Sequence, residues 1–160
     1  MTANEMGLIV LTGVGATVVA DVWTLVRKRV FAVPLLNFGL VGRWVAHVAR
    51  GRFRHDSIAA APPVRAEAAI GWTVHYLIGI AFAFLLPMIW GLEWLRHPTL
   101  GPALIVGVGT VMAPFFVMQP AMGAGIAASR TPRPATARFH SLVLHAVFGL
   151  GLYVAARVVS

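Results

Sequence analysis

Apolar residues fall in four long runs along the chain: Leu8 to Val26, Ala69 to Trp90, Leu100 to Met118 and Ser141 to Val159. Each run has about the 17–25 residues that a helix needs to cross the hydrocarbon core of a bilayer. Most lack the period-2 alternation of a barrel strand. The pattern predicts an all-α, polytopic membrane protein with four transmembrane helices in one integral-membrane domain over residues 1–160. One more element is expected between the first two spans, in "LLNFGLVGRWVAHVAR" from Leu35 to Arg50. Leu36, Leu40, Trp44 and Val48 recur there at helical spacing, while Arg43, His47 and Arg50 line another stripe. Such a segment is expected to lie in the interface plane, apolar face down, although Gly39, Gly42 and Gly51 work against helix formation.

Composition agrees with the runs. Of 160 residues, 59% are apolar and 11% charged, against about a quarter charged in soluble domains. The leader "MTANEM" has an acid and no base, so the first span does not read as a cleavable signal. "RKR" from Arg27 follows that span as a stop pattern. The absence of cysteine excludes disulfides, thiolate metal ligation and Cys nucleophiles.

The net charge of +8 is unevenly placed. Arg27, Lys28, Arg29, Arg43, Arg50, Arg52, Arg54 and Arg65 lie between spans 1 and 2, and Arg130, Arg133 and Arg138 between spans 3 and 4. The segment "GLEWLRHP" between spans 2 and 3 has only Arg96, opposed by Glu93. Positive-inside bias puts the two basic segments in the cytoplasm and both termini on the outer side of the membrane. Trp23 and Trp72 then fall near the inner interface, Trp90 and Trp94 near the outer one. The basic residues flank spans without interleaved stacking aromatics, so anionic lipid is the expected partner rather than nucleic acid.

Two loops echo each other. "IAAA" begins at Ile58 and "IAAS" at Ile126, and each has an arginine seven positions on, Arg65 and Arg133. The echo continues in the spans: "HYLIG" places His75 four residues before Gly79, and "HAVFG" places His145 four before Gly149. "GVGAT" from Gly13 and "GVGTV" from Gly107 match upstream. The chain reads as a parallel duplication of a two-helix hairpin. Small residues at four-residue spacing, Ala16/Ala20, Gly79/Ala83, Gly109/Ala113 and Gly151/Ala155, favour close helix packing within one chain or in a homo-oligomer. Pro87 and Pro114 predict kinks or local unwinding.

Ionisable groups inside spans are costly and are functional hypotheses by default. Three occur: Asp21, His75 and His145. They share a depth in the cytoplasmic half of their spans, with Gln119 just below. Three roles stay open for this layer. It is a hydrogen-bond network that fixes packing, or a proton- or ion-handling site with Asp21 as the titrating acid, or a ligand-bearing centre. In the last case the paired histidines would hold a haem by both axes, or His75, His145 and Asp21 would hold a divalent metal. Arg65, Arg130 and Arg133, with Arg43 and Arg50, are candidates for a phosphate, carboxylate or lipid headgroup. His47, His55, His97 and His140 read as solvated loop or interface residues. No G-x-S-x-G, H-E-x-x-H or Walker loop is present, which argues against hydrolytic chemistry.

The stretches "GRFRHDSIAAAPPV", "HPTL" and "MQPAMGAGIAASRTP" resemble a family of small four-span bacterial membrane proteins known only as a domain of unknown function. The resemblance covers essentially the whole chain. It implies four spans and an inner-membrane location, and no activity, substrate or catalytic residue. The functional expectation is transport or binding of a small solute, ion or anionic lipid. The alternatives are a membrane haem or metal protein, or a structural subunit.

Overall fold

The computed structural model describes residues 1–160 and is all-helical, with no strands. Four helical segments are long and apolar enough to cross a membrane: Ala3–Phe31, Glu67–Trp90, Leu100–Ala121 and Pro134–Val159. The chain is therefore a membrane-embedded protein with the four spans its apolar runs predict. In order, the α-helices are α1 (Ala3–Phe31), α2 (Phe38–Val48), α3 (Glu67–Trp90), the short α4 (Glu93–Arg96), α5 (Leu100–Gly109), α6 (Gln119–Ala121) and α7 (Pro134–Val159). A π-helical turn, Pro114–Met118, stands between α5 and α6. Pro114 thus produces the local unwinding expected of it, whereas α3 runs through Pro87 without interruption.

Packing divides the chain into two compact units: residues 1–35, 76–110 and 142–160 form one, and residues 36–75 and 111–141 the other. The first holds the core, made of Ile9, Ala16, Ala20, Ala83, Leu86, Ala103, Val106, Phe148, Leu152 and Ala156, with Trp94 and Leu95 from α4. Lipid tails are as apolar as leucine, so close backbone approach at small residues, rather than water exclusion, holds such helices together. A Cβ on Gly13 would stand 3.0 Å from the Gly79 carbonyl oxygen of α3. One on Gly151 would stand 2.9 Å from Ala16 Cα. Gly79 lies against Thr17, whose hydroxyl is turned back to the Gly13 carbonyl at 2.8 Å. Gly107 of α5 meets Gly149 of α7 backbone to backbone. The expected pair Gly109/Ala113 does not pack this way: Gly109 is exposed and faces open space.

Trp94 also departs from expectation. It is 5% exposed rather than part of an outer aromatic belt, and its indole N–H donates to the Thr99 carbonyl at 3.3 Å. The α1 N-terminus carries a capping box, in which the Thr2 side chain accepts from Glu5 N–H and the Glu5 carboxylate accepts from Thr2 N–H. This satisfies two otherwise orphaned donors. Glu5 also lies 3.7 Å from Arg96.

In the second unit the echoing words form the same element twice, a 3-10 turn at Ile58–Ala60 and another at Ile126–Ala128. Their loops are stitched together by His55 N–H to Ala121 O at 2.9 Å and Ile58 N–H to Met122 O at 3.1 Å. Gly123, at φ +96°, packs directly against the Asp56 carbonyl, where no side chain fits. Arg138 Nε–H donates to Ala127 O at 2.8 Å and pins the second turn, in which Ala127 and Ala128 are left-handed.

Candidate functional site

Two of the intramembrane polar residues lie in the first unit. Asp21, part-buried on α1, accepts a hydrogen bond from the Tyr76 hydroxyl of α3 at 3.1 Å. His145 is placed by the glycine contact one turn further along α7. With Gly149 against Gly107, the imidazole reaches the end of α5, and Nδ1 lies 3.0 Å from Thr110 Oγ1 and 3.2 Å from the Gly107 carbonyl. Thr110 spends its only proton on that same carbonyl, at 2.7 Å. Its Oγ1 is then an acceptor toward the ring. Neutral His145 therefore carries its proton on Nδ1 and keeps the Nε2 lone pair free to accept a proton or meet a ligand.

His75 and Gln119 belong to the second unit. His75 is set among aromatic rings, 4.2 Å between centroids from Phe38 and 5.7 Å from Trp72. Gln119 follows the π-helical turn, and its Oε1 is buried without a hydrogen-bond donor. No group of three or more His, Asp or Glu side chains is placed to hold a metal ion. Of the three residues expected to hold a metal, Asp21 and His145 belong to the first unit and His75 to the second.

The amphipathic segment does form a helix, α2, capped by the Asn37 side chain accepting from Gly39 N–H at 3.0 Å. Its glycines serve packing: Gly42 lies against the Glu67 carbonyl and Gly71 of α3 against the Phe38 carbonyl, contacts that leave no room for a side chain. This crossing turns the polar stripe toward protein. Arg43 forms a bidentate pair with Glu67, with both contacts at 2.8 Å. Arg43 Nη1 also donates to the carbonyls of Ala59 at 3.1 Å and Ala61 at 3.0 Å. Its donors are committed to clamping the first 3-10 turn to α3, so Arg43 is not available to a headgroup.

His47 is likewise interior, 7% exposed, with Nε2 3.0 Å from the Pro62 carbonyl. His55 packs edge-on against it at 5.0 Å, is 6% exposed, and has neither ring nitrogen hydrogen-bonded. Both were expected to be solvated. Burial, reinforced by the nearby Arg52 charge and by His47, holds the His55 pKa below the ordinary histidine value.

The remaining candidate cations, Arg50, Arg65, Arg130 and Arg133, are exposed. Arg133 lines a shallow open cavity of about 320 Å³ with Thr131, Pro132, Thr136, Ala137 and His140.

Compared with known proteins, residues 10–159 match the family described as "Protein of unknown function (DUF2938)". The chain belongs to that family. No curated protein and no solved structure matches it. Membership extends over all four spans and assigns no role to any residue.

Sequence pattern missed one residue of the first unit altogether. Arg27 reads as one of three flanking cations, yet it is 5% exposed while Lys28 and Arg29 are exposed. The available signal was register, because Arg27 continues the buried stripe of α1.

Proposed function

We propose that the chain is a small transport or binding protein of the bacterial inner membrane, with both termini periplasmic. The candidates to meet a small solute, an ion or an anionic lipid are Asp21 and His145 in the first unit, and His75 and Gln119 in the second. The observation that carries this reading is the acid and the base retained in the first unit. Asp21 accepts from the Tyr76 hydroxyl, a donor of weak acidity, and His145 is oriented through Nδ1 with its Nε2 lone pair free. Ionisable side chains at membrane depth are costly and are functional hypotheses by default, with ion pathways and proton relays among their roles. A structural or accessory subunit is the second reading, favoured by the tight His145–Thr110–Gly107 network.

Proton flux into proteoliposomes, driven by a potassium gradient with valinomycin, separates the two. The transport reading expects flux above protein-free vesicles that falls at least about tenfold in Asp21→Asn, with helix content and monodispersity retained. Wild-type flux equal to that of empty vesicles, or an unaffected Asp21→Asn variant, overturns it.

A further inference from the structure

The buried stripe of α1 runs Ile9, Gly13, Ala16, Ala20 in alternating four- and three-residue steps, and the same steps lead on to Trp23 and Arg27. Residues so spaced lie on one helix face. The stripe therefore ends on two polar side chains one turn apart, where an apolar pair would have continued it. Arg27 Nε and Trp23 Nε1 are both buried, and neither has a hydrogen-bond partner. Both groups are donors only, and the guanidinium does not give up its proton in proteins. A buried arginine without an acceptor or a counter-charge is strongly disfavoured.

The chain does not supply that counter-charge. It has five carboxylates. Glu5 caps α1, Asp21 accepts from Tyr76, Glu67 holds Arg43, Glu93 faces Arg96 and His97, and Asp56 is exposed. None of them forms an ion pair with Arg27, and its Nε has no acceptor. The acceptor must come from outside the chain.

Its chemistry follows from the donors and their place. Arg27 comes directly after the apolar run that ends at Val26, at the depth where helix-flanking cations meet headgroups. The anion resident at that depth is phosphate. A guanidinium is the side chain best matched to two phosphate oxygens, and an indole N–H suits a further one. Exposed Lys28 and Arg29 beside it raise the local concentration of anions. We infer that Trp23 and Arg27 form a binding site for a phosphate group at the membrane interface. The group belongs either to a lipid headgroup or to a soluble phosphate. The inference does not depend on Asp21 or on transport.

The test uses the full chain in phosphate-free dodecyl maltoside micelles. Dioleoylphosphatidylglycerol and inorganic phosphate are titrated separately, and binding is read by thermal midpoint and native mass spectrometry. Saturable binding of at least one probe is expected. Losing a hydrogen bond to a charged group weakens binding on the order of tenfold or more, so Arg27→Gln is expected to lose at least about tenfold. Trp23→Phe, which keeps the ring and deletes the N–H, is expected to lose about three- to tenfold. Lys28→Gln, on the exposed side, should change affinity by less than about threefold. Phosphatidylglycerol binding alone identifies a lipid site, and binding of inorganic phosphate identifies a soluble ligand. Neither probe binding below about 1 mM, or either binding Arg27→Gln as well as wild type, overturns the inference. If Arg27→Gln does not fold, Trp23→Phe decides, and unchanged affinity in that variant overturns it.

Discussion

Gly107 and Gly109 lie two residues apart on α5, and alanine at each should act with opposite sign. A Cβ at Gly107 would meet the backbone of α7: Gly149 N at 2.6 Å, the His145 carbonyl oxygen at 2.8 Å, and Gly149 Cα closer still. None of these is the tip of a side chain that can swing away. Restoring ordinary contact distances would part the two helices by roughly 1 Å. Overpacking of this kind costs about 1–3 kcal/mol. The same parting would stretch the 3.2 Å contact between His145 Nδ1 and the Gly107 carbonyl.

At Gly109 nothing lies within 4 Å. Alanine there adds no clash and gains up to about 1 kcal/mol of helix propensity. The assay is reversible unfolding in mixed micelles, titrated by the mole fraction of dodecyl sulfate. Gly107→Ala should unfold at a lower fraction than wild type, and Gly109→Ala at an equal or higher one. If Gly107→Ala is as stable as Gly109→Ala, the α5–α7 contact described above is wrong.

Two further outcomes follow from the histidines and from the charge pattern. Neutral His55 is favoured by the fold, since its folded pKa lies below the unfolded value of about 6.5. Above that value both states are uncharged there and the group adds no pH dependence. As pH falls below it, the unfolded chain takes up a proton before the folded one does, so the stability of the second unit should fall from pH 7 toward pH 5. Hydrogen exchange at residues 55–61 and 121–123, corrected for intrinsic rates, checks this, and His55→Phe should flatten the dependence. For orientation, the cysteine-free chain accepts single cysteines cleanly. A membrane-impermeant maleimide should label Ser160→Cys from the periplasmic side but not Arg54→Cys, and the reverse pattern would invert the proposed topology.

The four spans are legible because lipid imposes a length and a composition that few other environments impose. Small residues such as Gly13, Ala16 and Gly151 are legible for a related reason, since membrane helices lack a water-driven force to bring them together. What escapes the sequence is direction. Arg43 sits on the polar stripe of an amphipathic helix, and hydropathy assigns that stripe to headgroups. The partner that turns it inward is Glu67, 24 residues away on another helix. Arg27 escapes hydropathy too, because a cation after an apolar run has one hydropathy whether it is exposed, as Lys28 and Arg29 are, or buried. Trp94 looks like a belt aromatic by position, but α4 folds it into the core. For Arg43 and Trp94 a contact with another element decides, whereas for Arg27 the register of α1 carries the only trace.

The echo between the two halves is informative where it fails. The matched glycines do matched work: Gly13 meets Gly79 and Ile80 in the first hairpin, and Gly107 meets Gly149 in the second. The matched loops both wind into 3-10 turns. The turns nevertheless differ, because Ile58 is buried whereas Ile126 is 57% exposed and the alanines after it are left-handed. The matched histidines differ more. His145 is fixed by a hydroxyl and a carbonyl, and His75 stands among the rings of Phe38 and Trp72. The repeat therefore supplies matched helix contacts to both halves without matching the neighbours of the two histidines. The first unit keeps one acid, Asp21, held by Tyr76, and one base, His145, held by Thr110 and Gly107, and the proposed transport reading rests on these two.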